Sequence, residues 1–422
     1  MLTRSASRPA FGSDTARLRR GAAAVALGLL LFAASWVLLH VTPLGDHQIV
    51  DTPVYQRYGD AVMDGQVPYR DFALEYPPGA LPVFILPSLA PQEHYRSAFE
   101  ALMVLCGLAT VALVALTLAS LGASRERILL GTVLTGIAPL ALGSVILTRY
   151  DLWPAMLTAA ALAALVSGRE RLGFGVLGLA AAAKLWPVVL VPLAVVYVSR
   201  RRGGRTTLEA LAVFLAVLAV AFVPFAALSP GGLADSFSRQ MDRPLQIESL
   251  GSVLLLAAHH VGDYEPTVVT SFGSQNLTGG LPDALATVLT IVQVLAVIAL
   301  WILFATRRGY PEELTAASAA VVAAFVAFGK VLSPQFLIWL MPLVPLVLGG
   351  LGLVAAGLFL LVLVLAQLWF PRTYWELVAF EAGPSWLLLA RDLALVALVA
   401  VLVAATARIG RRVPRSGLSG GS

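Results

Sequence analysis

Long apolar blocks follow one another along the chain, separated by short breaks in which arginines gather. The block GAAAVALGLLLFAASWVLLHV, residues 21–41, contains no lysine, arginine or acid. A helix needs about 20 such residues to cross a bilayer, so this block predicts a first full span. The arginine-rich lead before it imitates the start of a signal peptide. The block is too long for that, and no small-residue cleavage site stands out, so it is read as a retained helix. Further helices are predicted over 97–121, 128–147, 152–167, 172–184, 185–199, 206–228, 282–305, 313–330, 335–349, 352–370 and 386–407. The pair 172–184 and 185–199 are each short for a full span. The stretch PPGALPVFILPSLAP, residues 77–91, carries five prolines, which a straight helix does not tolerate. It is expected to dip into the membrane and return, or to lie at its surface.

The arginine-rich breaks set an orientation, because short basic loops stay in the cytoplasm. RER at 125–127 and 169–171, RRRGGR at 200–205, RR at 307–308 and the arginines of both ends fit one scheme. That scheme has about twelve crossings and both termini cytoplasmic. The expected organisation is a cytoplasmic tail over 1–20, a transmembrane domain over 21–407 and a second tail over 408–422. Ordered outer loops fall at about 42–96, 229–281 and 371–385. Loops of this length inside a compact domain usually carry function.

Composition agrees with a multi-pass membrane protein, and the plasma membrane is its expected location. Of all residues 59% are hydrophobic and 13% charged, against about 25% charged in a soluble domain. Mean hydropathy is +0.84. Cys106 is the only cysteine, which excludes an intrachain disulfide and a thiolate metal cage. The net charge of +5 is set in part by arginines of the expected cytoplasmic loops and termini, and no nucleic-acid recognition motif is present. The alanine- and arginine-rich usage points to a high-GC bacterium.

Of 29 basic side chains only two are lysines, Lys184 in AAAKLWPVVLVP and Lys330 in AFGKVLSPQFLIWLMP. Each sits in apolar surroundings about a turn before a proline, at an outer helix end. A charge in a membrane helix costs about 2.5–3.5 kcal/mol on insertion scales and is a functional hypothesis by default. Arg149, Arg243, Arg372 and Arg391 also fall on the outer side, where the charge rule expects few cations. Snorkelling and local pairing, Arg149 with Asp151 and Arg391 with Asp392, are the plain alternative. The functional reading is an anionic headgroup, for which an ammonium is a compact phosphate partner.

The first outer loop is acidic, with Asp46, Asp51, Asp60, Asp64, Asp71 and Glu75. YQRYGDAVMDG within it predicts a short amphipathic helix with Tyr55, Tyr58, Ala61 and Val62 on one side and Gly65 as its stop. Asp51 is either the cap of that helix or a functional carboxylate. Asp64 precedes a turn glycine and reads as structural. No D-x-D pair occurs, and His259–His260 are adjacent rather than spaced for one metal. Neither a metal nor a cofactor is expected. Asn276, in the sequon NLT of an outer loop, reads as a chance match.

Five segments in order, DTPVYQRYGDAVMDGQVPYRDFALEYPPG, TRYDLWPA, AAAKLWPVVLVP, DRPLQIESLGS and KVLSPQFLIWLMPL, resemble the GT-C superfamily of integral-membrane glycosyltransferases. The likeness is to glycosyltransferase family 87, the polyprenol-phosphate-mannose-dependent mannosyltransferase type, over roughly residues 45–345. The resemblance implies an all-α, GT-C-like bundle of about twelve transmembrane helices with ordered outer loops and an active site on the outer face. It implies a polyprenyl-phosphate sugar donor, with mannose the family's sugar, and a glycolipid or cell-envelope glycan acceptor. Such enzymes use a catalytic aspartate in the first outer loop, and Asp51 stands at the matching place.

The chemistry is coherent on its own terms. An acceptor hydroxyl attacks the anomeric carbon while a carboxylate takes its proton. The leaving lipid phosphate needs no general acid, only fixed cations for its growing charge. One base and no nucleophile predicts inversion. Lys184, Lys330, Arg149 and Arg70 are the expected phosphate ligands. Tyr76, Asp151, Arg243, Gln246, Glu248, Ser249 and Gln335 are the expected substrate contacts, with a helix-start role open for Gln335. Tyr76 and Arg70 would flank the way in for the polyprenyl tail. The alternative function is a transporter or flippase of a lipid-linked sugar, which would bind phosphate with the same cations but tends to show internal repeats.

Overall fold

The computed structural model describes residues 11–408. Most of the expected tails, residues 1–10 and 409–422, lie outside the described residues, and α1 (Phe11–Val41) begins within the first of them. The first loop carries α2 (Thr52–Met63) and the short α3 (Leu81–Ile85). Then come α4 (Tyr95–Ser120), α5 (Arg125–Leu142), α6 (Leu152–Val166), α7 (Glu170–Ala183), α8 (Val191–Arg202) and α9 (Gly204–Leu228). The second loop holds α10 (Pro230–Met241), β1 (Leu245–Gln246), α11 (Leu250–Val261), β2 (Val268–Ser271) and β3 (Ser274–Leu277). The chain closes with α12 (Gly280–Ala305), α13 (Pro311–Ala327), α14 (Gly349–Trp369), the short α15 (Tyr374–Val378) and α16 (Ala382–Arg408).

The result is an all-α membrane bundle with one small exception. β3 pairs antiparallel with both β1 and β2, a three-stranded sheet that the sequence reading does not contain. Its strands are two to four residues long, too short for alternation to register. Asn276 lies in β3, fully buried and bonded to Ser271 and Ser274.

Among the described residues six helices are long and apolar enough to cross a membrane, namely α1, α4 with its preceding turn, α9, α12, α14 and α16. The other predicted spans are shorter. The segment expected as a helix over 335–349 is instead a pair of 3-10 turns, Pro334–Leu340 and Val344–Leu346. Pro342 and Pro345 remove the donors an α-helix needs there. Likewise 185–199 starts as a 3-10 turn at Trp186–Leu190 before α8. The proline-rich stretch 77–91 folds as short helical turns: Pro78–Ala80, then α3, then Leu86–Leu89.

Burial separates the helices by role. α13 is buried along almost its whole length, and α6 nearly so. α9 presents most of its surface outward. Small residues let the inner helices approach. At Gly107 of α4 an added Cβ would fall 1.9 Å from the ring of Phe32 on α1, and Phe32 is itself fully buried. Gly107→Val is therefore expected to lower stability by about 1–3 kcal/mol, the usual penalty of overpacking. A reduced melting temperature in detergent, with α1 and α4 forced apart, is the readout.

The three long loops meet at one end of the bundle. Arg372 Nη2 donates to the carbonyl of Pro43 at 2.6 Å, and Ser229 Oγ to that of Tyr69 at 2.9 Å. Arg391 Nη2 donates to the carbonyl of Glu248 at 2.7 Å. Arginine pairs collect at the other end, Arg171 with Glu209 and Arg202 with Glu170.

Candidate active site

Lys184 and Lys330 occupy equivalent places. α7 stops at Ala183, and Lys184 is extended (φ −159°, ψ 143°) before the turn that contains Pro187. α13 stops at Ala327, and Lys330 precedes the turn opened by Pro334. A proline has no N–H to donate and its ring clashes with the carbonyl four residues back, here that of Ala183 and of Lys330, so each lysine is placed at a helix break. Both line one cavity of about 340 Å³, together with Tyr76, Arg243 and Gln335. The structure thus gathers five sequence-predicted residues drawn from four stretches of chain.

The cavity's inner wall is aromatic. Trp339 is stacked between Trp186 (centroids 5.1 Å apart) and Phe336 (4.2 Å). The Lys184 ammonium lies 4.8 Å from the Tyr150 ring centre and 5.3 Å from that of Trp339. Such contacts favour a cation held out of water. Trp186 Nε1 and Arg243 Nε are buried donors with no protein partner. Arg243 Nη2 donates to Ser274 Oγ at 3.1 Å, and Lys330 Nζ to the carbonyl of Met241 at 2.7 Å.

The ion pairs differ from those expected. Arg149 pairs with Asp51 rather than Asp151. Asp151 pairs with Lys184, 2.6 Å from Nζ, and the same oxygen accepts from Trp339 Nε1 at 2.5 Å. Lys184, which has no acidic neighbour in sequence, therefore has one in space. Asp151 is fully buried, so it acts on the cavity through Lys184. Arg391 and Asp392 do pair, at 2.7 Å, but both are buried, which replaces snorkelling as their explanation.

Asp51 stands at the first position before α2, yet its carboxylate makes no capping bond. Its side chain is 31% exposed and is engaged by Arg149 and, at 3.4 Å, by the Tyr55 hydroxyl. Asp51 does not line the cavity. Tyr55 contacts Tyr76 and Tyr150 edge-on, at 5.7 and 5.6 Å, and those two rings face the cavity.

Gln246, Glu248 and Ser249 are buried in the loop framework, outside the cavity. Gln246 Nε2 donates to Glu248, its backbone N–H donates to the carbonyl of Lys330 at 3.0 Å, and Ser249 caps α11. Burial pushes the Glu248 carboxyl up to about 7, opposed by Arg391 and Arg149. Arg70 is bound to Asp71 through two bonds of 2.9 and 2.8 Å, away from both lysines. That pairing, with the Val67 N–H, holds the Asp71 carboxyl down at about 2.

Sequence reasoning missed the aromatic stack, Tyr150 and Glu75. Tryptophan two residues after Lys184 in KLWP, and PQFLIW after Lys330, were the available signals. Glu75 lines the cavity from the EYPPG segment.

Residues 74–334 match glycosyltransferase family 87, more than half of the chain. The chain belongs to glycosyltransferase family 87. It is accordingly a membrane glycosyltransferase. The family 87 segment includes Tyr76, Lys184, Arg243 and Lys330, and leaves Asp51, Arg70 and Gln335 outside it. The structure is also similar to the crystal structure of ArnT from Cupriavidus metallidurans in the apo state. That chain is 15% identical, with 92% of this chain and 78% of that one covered, at a TM-score of 0.46. No curated protein matches.

Proposed function

We propose that this family 87 glycosyltransferase moves a sugar, with mannose the first choice, from a polyprenyl-phosphate donor to a hydroxyl of a glycolipid or cell-envelope glycan. The reaction takes place at the outer face, with both termini cytoplasmic, in a single inverting displacement. The observation that carries this reading is the cavity's lining. Lys184, Arg243 and Lys330 bring positive charge to a space walled by Leu185, Phe325, Val331 and the aromatic stack. A phosphate joined to a hydrocarbon chain needs that combination.

In this reading Lys184, Lys330 and Arg243 receive the phosphate and stabilise the charge that grows on it as the glycosidic bond breaks. Trp186 and Arg243 add donors that have no other partner. Tyr76 and Gln335 contact the sugar end. Asp51 takes the proton of the attacking hydroxyl, with Arg149 as the fixed cation beside it.

Purified protein in nanodiscs, given radiolabelled polyprenyl-phosphate-mannose and host lipid extract, is expected to transfer label. Lys330→Ala is expected to raise the half-saturating donor concentration about ten-fold, since a hydrogen bond to a charged group is worth about 1.5–3 kcal/mol. Donor binding without transfer, in every host extract tried, would turn the assignment to transport.

A further inference from the structure

Next to the cation-lined cavity lies a second one, of about 240 Å³, between residues 69–75 and a face of α10. Tyr69, Glu75 and Ser236 line both. The two differ in charge. The first sets Lys184, Arg243 and Lys330 against Glu75. The second sets Arg70 and Arg239 against Asp71, Glu75 and Asp235, and Arg70 is already held by Asp71. With three carboxylates against two guanidinium groups, the charge of this cavity does not favour a phosphate. Interleaved carboxylates and guanidinium groups instead offer acceptors and donors side by side, which suits neighbouring hydroxyls.

The second cavity is also rigidly built. Tyr69 has φ +67°, a conformation side chains other than glycine's rarely take and one that concentrates at functional sites. It is held there by its N–H to the carbonyl of Phe72 (3.0 Å) and its hydroxyl to that of Tyr76 (2.6 Å). α10 is pressed onto this loop at Gly232, where a Cβ would fall 2.0 Å from the Tyr69 oxygen. Only glycine permits that approach, which holds α10 against the loop that lines the cavity.

We propose that this second cavity is the acceptor subsite, taking a neutral polyhydroxylated headgroup, with Glu75 at its junction with the donor cavity. The proposal rests on the transferase reading. It explains why Arg70 sits apart from the lysines, and it brings an acceptor hydroxyl to the donor cavity, where Tyr76 leads through Tyr55 to Asp51.

Asp235→Asn and Arg239→Ala alter only this cavity, and both residues are exposed on α10, so folding is spared. Label transfer is measured at saturating polyprenyl-phosphate-mannose with graded host lipid extract, then at saturating extract with graded donor. Each variant is expected to raise the half-saturating amount of extract about ten-fold and leave the donor's unchanged, the reverse of Lys330→Ala. An unshifted extract dependence, or a shift in the donor's instead, overturns the subsite while wild-type transfer keeps the transferase. Wild type that transfers no label with any extract removes both readings.

Discussion

Asp51→Asn is expected to bind donor normally and to turn over about 10²–10⁴-fold more slowly, the range a positioned general base contributes. The size follows from the chemistry. A lipid phosphate leaves without help from an acid, so proton removal from the acceptor is the one proton transfer the protein must manage. Structural side effects are limited, because the Asp51 carboxylate does not cap α2, and asparagine serves that position equally well. An amide oxygen still accepts from Arg149, which is 5% exposed and would suffer from losing every partner. Donor binding and turnover measured on the same preparation separate the two effects. Unimpaired turnover would move the role to Glu75, the carboxylate that lines the cavity.

Lys184→Met is expected to lower turnover about 10²–10³-fold, as removal of one fixed stabiliser of developing charge does elsewhere. Asp151→Asn should also lower turnover although Asp151 is fully buried, because it releases the ammonium from a geometry set at 2.6 Å. Either single change leaves a buried charge without its partner and costs about 3–5 kcal/mol. The double variant Lys184→Met with Asp151→Leu discriminates. It should regain thermal stability, since an apolar pair can replace a buried ion pair, yet stay inactive. Activity that returned along with stability would show the pair to be scaffolding only.

Much of the architecture was legible as sequence. Apolar blocks located most of the long helices within a few residues, although 335–349 folds as 3-10 turns and α10 and α11 lie in an expected loop. Pro187 and Pro334 marked the breaks at both lysines. Tyr55, Tyr58 and Gly65 announced α2 and its end. These are local signals, carried by residues within a turn or two of one another. The pairings were not legible, because Asp51 meets Arg149 and Lys184 meets Asp151 across tertiary space. Sequence proximity suggested Arg149 with Asp151, since only Tyr150 separates them, but the chain's turn there points the side chains to different partners. Gln246, Glu248 and Ser249 looked like site residues because polar groups cluster there. Their polarity serves instead to satisfy a buried loop, as buried polar atoms require.

The bond from Arg391 to the carbonyl of Glu248 bears on how far the protein can be shortened. Two residues before Glu248, the Gln246 N–H holds the carbonyl of Lys330. The last helix, beyond the segment that marks the family, is thereby coupled through one loop to a cavity lysine. α16 acts as a clasp on the working end, and trimming it should cost activity before it costs residence in the membrane.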